Sequence, residues 1–201
     1  MKNLWMVVGL LMLLYSCGQE TQQQKPQAMT EEQYLSLGDS VATNAQKLLL
    51  QNLVNAIKEK GIAAAVGYCN LNAILLTEQA AHQYQVSLQR ISDKNRKPKN
   101  AIQEEQDMQA WKAMQHLMQD TSKHKKHLLV NNEQGTTYYK AITIAMPTCL
   151  SCHGEKDKDL AMDTWNAIQT SYPQDKAHGY QMGQLRGLWK VRFTSSEVPK
   201  G

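Results

Sequence analysis

The chain has 201 residues, of which 42% are apolar and 20% charged, the mix of one globular domain rather than of a disordered or fibrous chain. Its formal charge of +4 comes from 22 basic and 18 acidic side chains dispersed along the sequence, without the clustered basic face that nucleic-acid binding requires. The one strongly apolar run lies at the extreme N-terminus and the mean hydropathy is −0.53, which excludes a polytopic membrane protein.

Lys2 precedes an apolar stretch from Leu4 to Leu14, shorter than the roughly 20 residues a membrane-spanning helix needs and typical of a signal-peptide core. It ends in Leu14-Tyr15-Ser16-Cys17, which resembles the lipobox of bacterial lipoproteins, in which the Cys is acylated and becomes the mature N-terminus. Residues 1–16 are therefore expected to be a signal peptide and Cys17 a lipidation site, with a plain secretory signal and an incidental Cys17 as the alternative. The Gln-rich piece after it cannot bury apolar surface, so 17–29 reads as a tether. The expectation is an exported lipoprotein facing the periplasm, membrane-bound through the lipid on Cys17. Gly18 in place of Asp favours the outer membrane by the enterobacterial sorting rule.

The folded domain is expected over 30–198. Thr30-Glu31-Glu32-Gln33 matches a capping box, and Tyr34, Leu37, Val41, Ala45 and Leu48 share one helical face, predicting a helix to about Lys60 with Gly61 as its punctuation. A second helix over 62–85 holds Cys69. Val86 to Ile91 alternates as a strand does. A basic, Pro-containing loop over 93–100 follows, then a helix over 101–120. Leu128 to Val130 and Thr136 to Ala145 flank a hairpin turn ending in Gly135. A loop around Cys149, a short helix over 159–169 and a closing strand over 185–193 complete an α+β plan.

Four cysteines in an exported chain suggest disulfides, but with Cys17 lipidated the remaining count is odd. Two of the rest stand in Cys149-Leu150-Ser151-Cys152-His153. This is C-x-x-C-H, the attachment signature of a c-type haem, in which two thioethers hold the porphyrin and the next His ligates the iron. One such motif predicts one covalent haem c. A redox dithiol would want a helix N-terminus at the first Cys, whereas Pro147-Thr148 before and Gly154 after the motif read as a loop. A structural zinc site would need a second ligand pair, for which His124 and His127 are the nearby candidates. Cys69 is left over and reads either as a small buried core thiol or as a metal ligand. Met146, Met162, Met182, His82, His116 and His178 are rival sixth ligands. Arg90 and Arg96 could pair with haem propionates through their planar forks, or be surface arginines. Lys123 to His127 is a basic run that could attract a propionate or an acidic partner, or be a solvated helix end.

Five blocks carry a family likeness: Gly67-Tyr68-Cys69-Asn70, Arg90 to Asn100, Cys149 to Gly154, Tyr172 to Tyr180, and Gly183 to Gly187. In order and spacing they resemble the periplasmic c-type haem domains with a PAS-like fold, known as stand-alone haem proteins and as sensory modules. The resemblance implies an antiparallel sheet of about five strands with helices around it. It also implies His153 as proximal ligand and Cys69 as distal thiolate. The chain departs from the family at Arg96-Lys97-Pro98, where the usual run is Arg-Asn-Pro.

The function expected is redox or gas sensing through a His/Cys-ligated haem, loss of Cys69 from the iron being the signal. No kinase or cyclase pattern precedes Gly201, so a readout would pass to a separate redox or signalling protein. A small periplasmic electron-transfer cytochrome is the alternative. Two axial ligands leave no vacancy for substrate, so an enzyme is not expected. A second copy of the chain, as a homodimer, is a further candidate partner.

Overall fold

The computed structural model describes residues 29–120 and 126–193. The signal segment, Cys17, nearly all of the tether and His124 lie outside them. Helix α1 (Glu31–Tyr84) opens on the expected capping box, Gln33 N donating to Thr30 Oγ1 at 3.3 Å and Thr30 N to Gln33 Oε1 at 2.8 Å. It breaks at Gly61, whose φ of 79° and ψ of 170° are not helical, a conformation an L side chain resists. The two halves then run back against each other, tied by Tyr68 Oη to Asn52 Oδ1 at 3.1 Å and Asn44 Nδ2 to Gln83 Oε1 at 3.2 Å. The two helices expected from the sequence are thus the legs of one hairpin.

The sheet is antiparallel, in the order β1 (Ser87–Ile91), β4 (Leu185–Phe193), β3 (Gly135–Thr143), β2 (His127–Asn132). Four strands are present among the described residues, not the five the resemblance implied. The segment after β1 cannot add one, because Pro98–Asn100 winds into a single 3₁₀ turn, and only Ser92 and Ala101 bridge. The β2–β3 turn is closed by Gln134 N on Asn132 Oδ1 at 2.8 Å, with Gly135 at φ 117°.

Both faces of the sheet are covered. Tyr138, Trp189, Val191 and Phe193 face α1 and meet Val41, Ala42 and Ala45; Gly38 lies so close to Tyr138 that a methyl group there would overlap the ring. Tyr139 and Leu188, one residue out of phase, face α2 (Glu105–Gln119) through Ala110, Trp111 and Met114. This alternation is what a strand buried on both sides imposes. Helix α2 starts later than expected, after an extended stretch ending at Glu104.

The C-x-x-C-H motif is not a loop. It forms helix α3 (Pro147–His153), with Pro147 in the first turn, where a missing N–H costs nothing and the fixed φ is already helical. Helix α4 (Met162–Ser171) packs on the α1 hairpin through Val66 and Ile168. Among the described residues no helix is long and apolar enough to cross a membrane.

Candidate functional site

One cavity of about 240 Å³ lies between the α1 hairpin, the β1/β4/β3 sheet and α3. The first leg of α1 contributes Leu49, Leu53 and Ile57, and the second Val66 and Cys69. The sheet contributes Arg90, Ile142 and Trp189, and α3 contributes Cys149, Cys152 and His153. A mostly apolar wall with a few converging polar groups is the usual form of a ligand site, although the volume is just under the range common for drug-sized ligands.

The two motif thiols rest on separate small cores. Cys152 packs against the cluster of Val66, Leu160, Ile168 and Tyr172, and Cys149 against that of Ile144, Ala177 and Tyr180. Cys69, Cys149 and Cys152 are free thiols. Burial pushes the Cys69 thiol up, with Arg90 and Arg96 pulling it back, and burial likewise raises Cys152. The raised Cys152 thiol does not favour dithiol exchange, although α3 does supply the helix start that a redox dithiol uses.

His153 Nδ1 lies 2.7 Å from Ala177 O and 3.3 Å from Arg186 Nε. The shorter contact assigns the proton to Nδ1, which donates to the carbonyl and leaves Nε2 with its lone pair. Such a backbone anchor on the far ring nitrogen is the arrangement that orients ligating histidines. Burial, together with the nearby Arg186, Arg96 and Arg90 charges, holds the imidazole well below its ordinary value, so it is neutral, as a metal ligand must be.

The two arginines singled out in the sequence have different roles. Arg96 lines the cavity, but its Nε and Nη2 are engaged: they reach the two oxygens of Asp175 at 3.0 and 3.2 Å, and Nη2 also donates to Cys152 O at 2.6 Å and Ala177 O at 3.3 Å. It pins the backbone on both sides of His153. The Arg90 side chain makes no hydrogen bond or ion pair among the described residues, its guanidinium standing 5.8 Å from the Trp189 ring. Its five donors remain for an anionic group in the cavity.

The rival ligands are elsewhere. Met146, Met162 and Met182 are 42%, 64% and 47% exposed, and His178 stands edge-on to Trp165 at 5.3 Å. His82 lies in the last turn of α1 and His116 in that of α2; none of these six lines the cavity. His127 stacks on Tyr138, 5.7 Å between ring centroids, away from the motif. Among the described residues no three His, Cys, Asp or Glu side chains converge as a metal-ion cluster; His124, half of the pair a zinc site would use, lies outside them. Arg186, Asp175 and the Ala177 carbonyl were missed as site residues; nothing in the sequence separates a lone Arg at the start of β4 from a surface Arg.

A family model described as Tll0287-like matches residues 19–194. The chain belongs to the Tll0287-like family. The crystal structure of the cyanobacterial heme-protein Tll0287 matches with a TM-score of 0.64 and 21% sequence identity, over 86% of this chain and 100% of that one. No curated protein matches the sequence. The Tll0287-like chain thus shares that protein's α+β fold, and its own cavity brings together two adjacent thiols, a neutral imidazole and a third thiol on a different element.

Proposed function

We propose that this Tll0287-like chain is a haem protein carrying one haem c, joined by thioethers to Cys149 and Cys152 with His153 and Cys69 as axial ligands. The observation that carries the reading is that Cys69, distant in sequence, lines the same cavity as the C-x-x-C-H helix, and no other Met, Cys or His among the described residues does. The donor set fits the group: thiols for attachment, Nε2 free on an anchored imidazole, apolar walls, and Arg90 unpaired for a propionate. Bound there, haem would supply a one-electron couple whose ferric state a thiolate ligand favours.

The protein's own residues suit a sensor. Cys69 sits in the second leg of α1 next to Asn70, whose carbonyl accepts from Lys97 Nζ at 2.5 Å and whose Nδ2 donates to Ser171 O at 3.1 Å. A shift of Cys69 is therefore transmitted to the loop after β1 and to the end of α4. We read the function as redox or gas sensing, with Cys69 as the exchangeable ligand, in a non-enzymatic protein exported and anchored through lipid on Cys17. It would report to a separate protein or to a second copy of itself. Electron transfer is the second reading, favoured by Pro147 and Thr148 being exposed, which leaves the start of the attachment helix at solvent.

A denaturing gel stained for haem peroxidase activity tests attachment: the mature chain stains, and an unstained band refutes the reading. Ferric and ferrous optical spectra of wild type and Cys69→Ser test the ligand. Thiolate-type ferric bands are expected in wild type only. Retention of Cys69 on reduction would favour the electron carrier over the sensor.

A further inference from the structure

Arg186 is fixed against the back of the His153 ring. Its Nε lies 3.3 Å from Nδ1, and because that nitrogen already directs its proton at Ala177 O, the contact is one of charge and packing, not a second hydrogen bond. The side chain is held from three sides: Nη1 donates to Ser92 Oγ at 3.2 Å and to Lys94 O at 3.3 Å, and the guanidinium stands 5.4 Å from the Tyr180 ring centroid. Ser92 Oγ in turn donates to the Arg186 carbonyl at 2.9 Å, gripping the residue at both ends. Tyr180 itself stands edge-on to His153 at 6.3 Å.

No carboxylate pairs with Arg186 among the described residues. Asp175, the acid that could, has both oxygens on Arg96. The charge is therefore positioned and uncompensated. Arg90 and Arg186 both line the cavity, but Arg186 has Nη1 committed to Ser92 Oγ and Lys94 O, whereas no such bond holds the Arg90 guanidinium.

Resting on the haem reading, we propose that Arg186 is a positioning residue for His153 whose unpaired charge raises the reduction potential of the iron. The step concerned is the transfer of one electron from the electrode to the ferric iron; any release of Cys69 is a separate step that follows it. Oxidation adds one positive charge at the metal, which a fixed cation beside the ligating ring opposes by Coulomb repulsion. The arginine thereby offsets part of the ferric preference that a thiolate brings.

The test is a spectroelectrochemical titration of the full-length haem-loaded protein as wild type, Arg186→Gln and Arg186→Lys, after haem staining of each. Removing the charge in Arg186→Gln is expected to shift the reduced-to-oxidised ratio at fixed electrode potential about tenfold toward oxidised, which is about 59 mV for one electron. Arg186→Lys keeps the charge and should stay within about threefold of wild type, half of that interval on the logarithmic scale. An unstained wild type overturns the haem reading and the proposal with it. A stained Arg186→Gln with the wild-type potential overturns the proposal alone. Should Arg186→Gln fail to load haem, Arg186→Lys decides: a tenfold shift with the charge intact overturns the role assigned to it.

Discussion

The α2 face of the sheet and the cavity under α1 treat charge in opposite ways. Under α2, Lys190 is only 4% exposed, and its ammonium meets Asp107 Oδ2 at 2.8 Å and Glu104 Oε2 at 3.0 Å. Arg192 meets the same Glu104 at 2.5 Å, and Tyr139 Oη donates to Asp107 Oδ1 at 2.7 Å. Both of these cations have an acid. On the cavity side Arg90, Arg96 and Arg186 share one carboxylate, that of Asp175. The first pattern is that of a fold pinning a helix to a sheet. The second leaves surplus positive charge around a cavity, which only a bound anion or a function explains.

Emptying the cavity side of its attachment chemistry should have the largest effect. Replacing Cys149 and Cys152 by Ala is expected to abolish covalent haem entirely, read as loss of in-gel staining with the chain still expressed. Next comes the paired side: Asp107→Ala strands a buried ammonium on Glu104 alone and should cost about 3 kcal/mol, seen as a lower urea midpoint. An unchanged midpoint would mean that the network is not structural.

The unpaired side should respond with the opposite sign. Arg90→Met in the haem-free protein is expected to be neutral or to stabilise by up to about 1 kcal/mol, because it removes an uncompensated charge at the edge of the core. A loss comparable with that of Asp107→Ala would erase the contrast. The smallest effect is a pH dependence. The hydrogen bond from Lys190, against a desolvation penalty and with help from Arg192, holds the Glu104 carboxyl below its ordinary 4.5. A lowered carboxyl contributes stability that is whole above that ordinary value and fades as the pH falls through the folded one. The stability gap between wild type and Glu104→Gln should therefore narrow as the pH falls below the ordinary carboxyl value of 4.5.

How much of this was legible beforehand follows from which signals are local. The capping box at Thr30, the break at Gly61, the hairpin into Gly135 and the closing strand over 185–193 are set by neighbouring residues, and the structure has them where the sequence pointed. The boundaries of α2 and α4 shifted because neither has a side-chain cap to fix its start. The C-x-x-C-H segment departs from the expected loop because Pro147 and Gly154, which in sequence look like breakers, open the helix and close it. Arg96 and Arg186 could not be ranked, since what separates a committed guanidinium from a free one is a carboxylate or hydroxyl remote in the chain.

The Ala177 carbonyl carries one more consequence. A peptide oxygen offers two lone pairs, and here one accepts from His153 Nδ1 at 2.7 Å and the other from the Arg96 guanidinium Nη2 at 3.3 Å. Its acceptor capacity is full, and Ala177 is 0% exposed. Water therefore has no foothold behind the imidazole, and the orientation of the ring is set by the protein alone.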